Sequence, residues 1–104
     1  MIHKITMFVG LNDKDTKIQE INTLDAYKIV ARAIGVDSTI TEARGVYTHR
    51  DGTVVLETSL VVEILDFDDT YDKGWVSDKV AQIKTLLNQE SVAVQHEQID
   101  SSLI

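Results

Sequence analysis

The residues able to do chemistry in this chain are few and far apart. His3, His49 and His96 fall in three different segments, with neither the i, i+4 spacing nor the H-E-x-x-H pattern of a histidine metal site. The chain has no cysteine, which excludes zinc–thiolate centres, iron–sulfur clusters, disulfides and thiol catalysis. Ser59 follows Glu57 on one face of an extended run, but no histidine is placed to activate it. His96 and Glu97 point to opposite faces if that segment is a strand, so they do not make a dyad. The G-x-S-x-G, P-loop and G-x-G-x-x-G patterns are all missing. In the run from Asp66 to Asp72, Asp66, Asp68 and Thr70 mimic the first positions of a calcium loop. Tyr71 replaces the required glycine there, and Ser77 the distal acid. The expectation is no metal, no cofactor and no catalytic set. Tyr47, Glu57 and His96 remain as the polar residues most suited to a ligand cleft.

Six elements must position these residues. Residues 2–11 alternate Ile5, Met7, Val9 and Leu11 against Lys4, Thr6 and Phe8, the period of a half-buried strand. A helix is predicted from Thr23, capped by its hydroxyl, with an apolar stripe of Leu24, Tyr27, Val30, Ala31 and Ile34, and stopped at Gly35. Strands over 38–48 and 53–67 flank His49-Arg50-Asp51-Gly52, where Asp-Gly signals a tight hairpin. Val54, Leu56, Thr58, Leu60, Val62 and Ile64 read as the core face of the second strand. A second helix carries Val76, Val80, Ile83 and Leu87, and a last strand over 91–99 turns Val92 and Val94 inward, with His96 partly buried beside them. The order β-α-β-β-α-β predicts an α+β, ferredoxin-like domain: a four-stranded antiparallel sheet with two helices on one face.

Composition narrows the function classes. The 104 residues suffice for one domain with its own core, over 1–104. The net charge of −7 sits wholly in the second half, where ten acids face three lysines. Nucleic acid and anionic membrane surfaces attract cations, so neither is an expected partner. Arg44-Gly45-Val46-Tyr47 has the basic and aromatic residues of an RNA-reading strand but lacks the second aromatic. Gly10-Leu11-Asn12-Asp13 does not match the phosphate-cradling arginine loop of acylphosphatases. With neither a signal peptide nor an apolar run of about 20 residues, a cytoplasmic location is expected.

With helices on one face only, Phe8, Val55, Val61 and Leu65 are expected on the other, an apolar patch suited to a homodimer. Phe8-Val9-Gly10-Leu11, Gly45-x-Tyr47, Asp51-Gly52, Glu57-x-Ser59-x-Val61-Val62 and Gln89-Glu90-Ser91-Val92 occur in that order. In these motifs the chain resembles a bacterial family of small proteins with no assigned function. The resemblance implies a shared βαββαβ core and supplies no catalytic residues. The expected function is a non-enzymatic domain acting through self-association or protein binding. The alternatives are a small-molecule-binding or enzymatic dimer of the α/β-barrel kind, using Tyr47, Glu57 or His96, and an acidic phage-type inhibitor that mimics nucleic acid.

Overall fold

A computed structural model describes residues 2–48 and 50–104; the side chain of Tyr47 and the whole of His49 lie outside the described residues. The elements are β1 (Ile2–Gly10), α1 (Thr23–Ile34), β2 (Thr39–Thr48), β3 (Val54–Asp66), α2 (Lys73–Leu86) and β4 (Ala93–Ile99). They form one antiparallel sheet in the order β2-β3-β1-β4. Ile5, Met7 and Val9 of β1 lie opposite Ile64, Val62 and Leu60 of β3. These residues share one core with Ala26, Val30, Ala33 and Ile34 of α1 and with Val76 and Ile83 of α2. Both helices therefore cover a single face, and the architecture is the ferredoxin-like α+β fold.

Local chemistry sets the boundaries. The Asn22 side chain, rather than Thr23, caps α1 by accepting the Asp25 N–H at 3.1 Å. Gly35 ends the helix at φ 68°, as its position predicts. The buried stripe is Ala26, Val30, Ala33 and Ile34, with Ile29 beside it; Leu24 and Tyr27 remain exposed. The helix is thus rotated from the expected register, because two alanines let it approach the sheet closely there. Asp66, at the end of β3, is 3% exposed, and its two carboxylate oxygens accept the N–H groups of Thr70 and Tyr71, both at 2.8 Å. The acidic run is thus a loop folded around its own carboxylate. Gly52 takes φ 89° in the β2–β3 turn, and Asp51 accepts the Thr53 N–H at 2.9 Å.

The β2–β3 hairpin outruns the rest of the fold. β1 pairs with β3 only as far as Gly10 opposite Ser59, so residues 54–57 of β3 have β2 alone beside them. Val54 and Leu56, expected in the core, are consequently 61% and 73% exposed. They keep the correct face, but no helix extends far enough to cover it. Among the described residues, no helix is long and apolar enough to cross a membrane.

Candidate functional site

The strand alternation that buries Met7 and Val9 sends Phe8, Gly10, Ser59 and Glu57 to the open face of the sheet. There a hollow of about 510 Å³ forms at the C-terminal end of β1, walled by the loop after β1 and by the α2–β4 connection. Its floor is notable for missing side chains. Gly45 of β2 lies opposite Glu57, and Gly10 of β1 lies one rung away, opposite Ser59. A Cβ on Gly10 would stand 2.3 Å from one Glu57 carboxylate oxygen and 2.7 Å from the other. Gly10 is therefore what allows the carboxylate to lie across β1. A Cβ on Gly45 would meet nothing nearer than 3.8 Å. Glu57 is half-buried, and its Oε2 accepts the Asn12 N–H at 2.8 Å.

The walls are tied to one another through hydrogen bonds between distant parts of the chain. The Gln89 side chain, 8% exposed, donates to the Asn12 carbonyl at 2.8 Å. Asn88, at φ 49°, donates through Nδ2 to Asp13 and Asp15, both at 2.9 Å, while its carbonyl accepts the Lys14 N–H at 3.0 Å. The Asn88 side chain, then the N–H groups of Thr16 and Asp15, hold the Asp13 carboxyl below the usual carboxylate range. The Lys17 ammonium donates to the Lys14 carbonyl. Lys14 and Lys17 line the hollow together with Asp13, Glu57 and Glu90, and Phe8 and Val55 supply its apolar surface. The lining offers three carboxylates (Asp13, Glu57 and Glu90), two ammonium groups and an aromatic surface around bare backbone, which suits a small ligand carrying both charges and a flat or bulky group.

The structure separates the residues picked from sequence. Glu57 is in the hollow. His96 pairs with Ile5 and so lies on the helix side, near the outer edge, where it is exposed rather than partly buried. Glu57 and His96 share no cleft. The Tyr47 backbone lies opposite Val55, two residues beyond Gly45, and its side chain lies outside the described residues. His3 Nδ1 is 3.1 Å from Asp69 Oδ1, and its Nε2 is 3.3 Å from Gln98 Nε2, again on the helix side. Among the described residues, no three His, Asp or Glu side chains form a metal-binding group. Of the expected interface residues, Phe8 and Val55 line the hollow, whereas Val61 and Leu65 lie further along the open face. Sequence reasoning missed Asn12, Lys14, Lys17 and Gln89, which come from irregular segments. Gln89 was legible only as part of a short motif, and its companions Phe8, Gly10, Gly45, Glu57 and Ser59 converge with it here.

No family model and no curated protein sequence matches the chain. Solved structures do. A phage SAM lyase in complex with S-methyl-5'-thioadenosine matches with a TM-score of 0.64 and 27% identity, over 93% of this chain and 81% of that one. A phage SAM lyase in its apo state matches with a TM-score of 0.63 and 29% identity, over 91% and 78%. This likeness to an enzyme overturns the expectation of a non-enzymatic domain that works by self-association or protein binding. The missing catalytic motifs misled because they belong to hydrolases, kinases and dinucleotide enzymes, and their absence leaves other enzyme classes open.

Proposed function

We propose that the chain is an enzyme of the SAM lyase type, acting on S-adenosylmethionine or a close sulfonium relative in the Glu57 hollow. The observation that carries this reading is the likeness to phage SAM lyase over 93% of the chain. The geometry of the hollow supplies a reason. A sulfonium ligand carries a fixed positive charge that cannot be relieved by losing a proton, so a half-buried carboxylate is its natural partner. The bare backbone at Gly10 seats the Glu57 carboxylate, and the missing side chain at Gly45 leaves the adjoining floor of the hollow open to a bulky onium centre. Lys14 and Lys17 in the lining suit the amino-acid carboxylate, and Phe8 suits the nucleoside or the onium methyl group.

Scission without water at the bond between sulfur and the aminobutyryl carbon sends that bond's electron pair to sulfur. The sulfonium becomes the neutral thioether, and methylthioadenosine leaves. The remaining carbon is satisfied when the ligand's own carboxylate oxygen forms the new C–O bond, a closure that balances charge with no proton transferred. The protein's part is then to hold the charge, exclude water from the carbon and fold the substrate so that its carboxylate meets that carbon. Glu57 binds and orients the sulfonium; the two lysines must release the substrate carboxylate toward the reacting carbon. The test is incubation of the purified protein with S-adenosylmethionine, following methylthioadenosine by chromatography. Wild type is expected to release it, and Glu57→Gln, which keeps the Asn12 hydrogen bond, to lose at least about a hundredfold in rate. A wild type that releases no more than the spontaneous background refutes the reading.

A further inference from the structure

The connection between α2 and β4 buries a polar side chain that packing alone does not call for. α2 is stopped by Asn88, in the left-handed region at φ 49°, and the next N–H, that of Gln89, closes the helix on the Lys84 carbonyl at 2.9 Å. This closure fixes the Gln89 backbone. The Gln89 side chain, 8% exposed, then spans from the helix end to the loop after β1. Its Nε2 donates to the Asn12 carbonyl at 2.8 Å and to the Leu87 carbonyl at 3.3 Å. Both partners are carbonyl oxygens, so the amide has a single favourable orientation and both its hydrogens are used. Burying an amide costs its hydration unless such bonds replace it, and methionine would fill the same space without that cost.

Residue 12 stands where β1 leaves the sheet. The Leu11 N–H still joins β3, at the Thr58 carbonyl 3.0 Å away, but the Asn12 N–H turns to the Glu57 carboxylate at 2.8 Å. Asn12 is thus held at its N–H by Glu57 and at its carbonyl by Gln89, one from the sheet and the other from the end of α2. The missing Cβ of Gly10 makes room for the carboxylate, and the Asn12 N–H gives it a direction.

We infer that Gln89 is a positioning residue for the sulfonium chemistry: it fixes Asn12 from the helix layer, and Asn12 holds the Glu57 carboxylate where the onium centre must meet it. The inference rests on the reading of the hollow as a SAM lyase site. Gln89 acts through Asn12, because both its amide hydrogens are given to backbone carbonyls and none is left for a ligand. The effect is local. The Asp13 and Lys14 N–H groups are taken separately by the Ile18 and Asn88 carbonyls, so losing the Gln89 bond frees residue 12 without releasing the loop.

Gln89→Met keeps the volume and removes the donors. Gln89→Asn keeps an amide one methylene short of Asn12, and it carries the test if the methionine protein does not fold. Each, confirmed as folded by circular dichroism, is expected to lower kcat/KM for S-adenosylmethionine at least about tenfold. In the Glu57→Gln background the same change should cost less than about threefold, because the residue it positions has lost its charge. The Asn12 amide proton, drawn downfield by the carboxylate, should move upfield in both Gln89 variants, toward its position in Glu57→Ala. A loss of equal size in the two backgrounds, or an unmoved Asn12 amide in the folded variants, would overturn the proposal. A wild type that releases no methylthioadenosine refutes the activity instead, and the amide shift then decides whether Gln89 holds Asn12 against Glu57.

Discussion

Replacing Gly10 by Ala is the sharpest perturbation of the hollow that leaves its charges in place. The added Cβ would stand 2.3, 2.6 and 2.7 Å from the Oε1, Cδ and Oε2 atoms of Glu57, where 3.4 Å begins ordinary contact. The obstacle is the end of a flexible side chain and not backbone, so the carboxylate moves and β1 does not. A displacement of about 1 Å takes Oε2 out of line with the Asn12 N–H that it now meets at 2.8 Å. A hydrogen bond to a charged acceptor contributes about 1.5–3 kcal/mol, and a half-buried carboxylate recovers part of this from water. The expected loss of stability is therefore about 1 kcal/mol, read as a fall of roughly 4–8 °C in melting temperature. Gly45→Ala, whose Cβ meets nothing within 3.8 Å, is the control and should melt within about 0.5 kcal/mol of wild type. Turnover of S-adenosylmethionine should fall at least about tenfold in Gly10→Ala, because the anion no longer lies where the onium centre sits. A Gly10→Ala protein that melts as wild type and turns over at full rate would show that the Glu57 position is not what the glycine serves.

Other regions give independent checks. Asp66→Ala strands the Thr70 and Tyr71 N–H groups and should cost about 3 kcal/mol, seen as a lower urea midpoint with an unchanged slope. Gly52→Val, at φ 89° with open space around it, should lower the urea midpoint by an amount equivalent to about 1–2 kcal/mol through backbone strain alone; an unchanged midpoint would contradict that conformation. The depressed Asp13 carboxyl contributes stability that is present above its unfolded-state pKa and lost as pH falls through its lower folded-state value. Asn88→Ala should raise the Asp13 pKa toward the ordinary carboxylate range, as read from the NMR titration of its side-chain carbon below about pH 5, and an unmoved curve would contradict the assignment of Asn88 as the main cause.

Sequence periodicity carried the fold because the core strands are simple. Ile5, Met7 and Val9 alternate cleanly, Gly35 and Gly52 sit where positive φ is needed, and the βαββαβ order leaves few ways to bury two helical stripes. It failed where packing depends on how far another element reaches. Leu56 has the right face but no helix above it, and Leu24 and Tyr27 lost the core to Ala26 and Ala33, whose small size lets α1 approach the sheet. The site was only half legible. Glu57 could be picked as a carboxylate within a β-rich run, but Lys14, Lys17 and Gln89 join it through loops whose paths are set by Asn12 and Asn88. The parity that sets His96 beside Val94, on the helix side and away from Glu57, was legible in the sequence, but its exposure at the outer strand was not.

The central claim is that the open-face hollow around Glu57 binds a thioadenosyl ligand. An NMR titration of the labelled protein with S-methyl-5'-thioadenosine tests it most directly. Saturable shifts concentrated on the amides of Phe8, Gly10, Asn12, Gly45 and Gln89, and sparing the helix-side groove at Val76, Val80 and His96, are the predicted result. Shifts confined to the helix-side groove, or none at concentrations well above those at which the protein turns over its substrate, would contradict it.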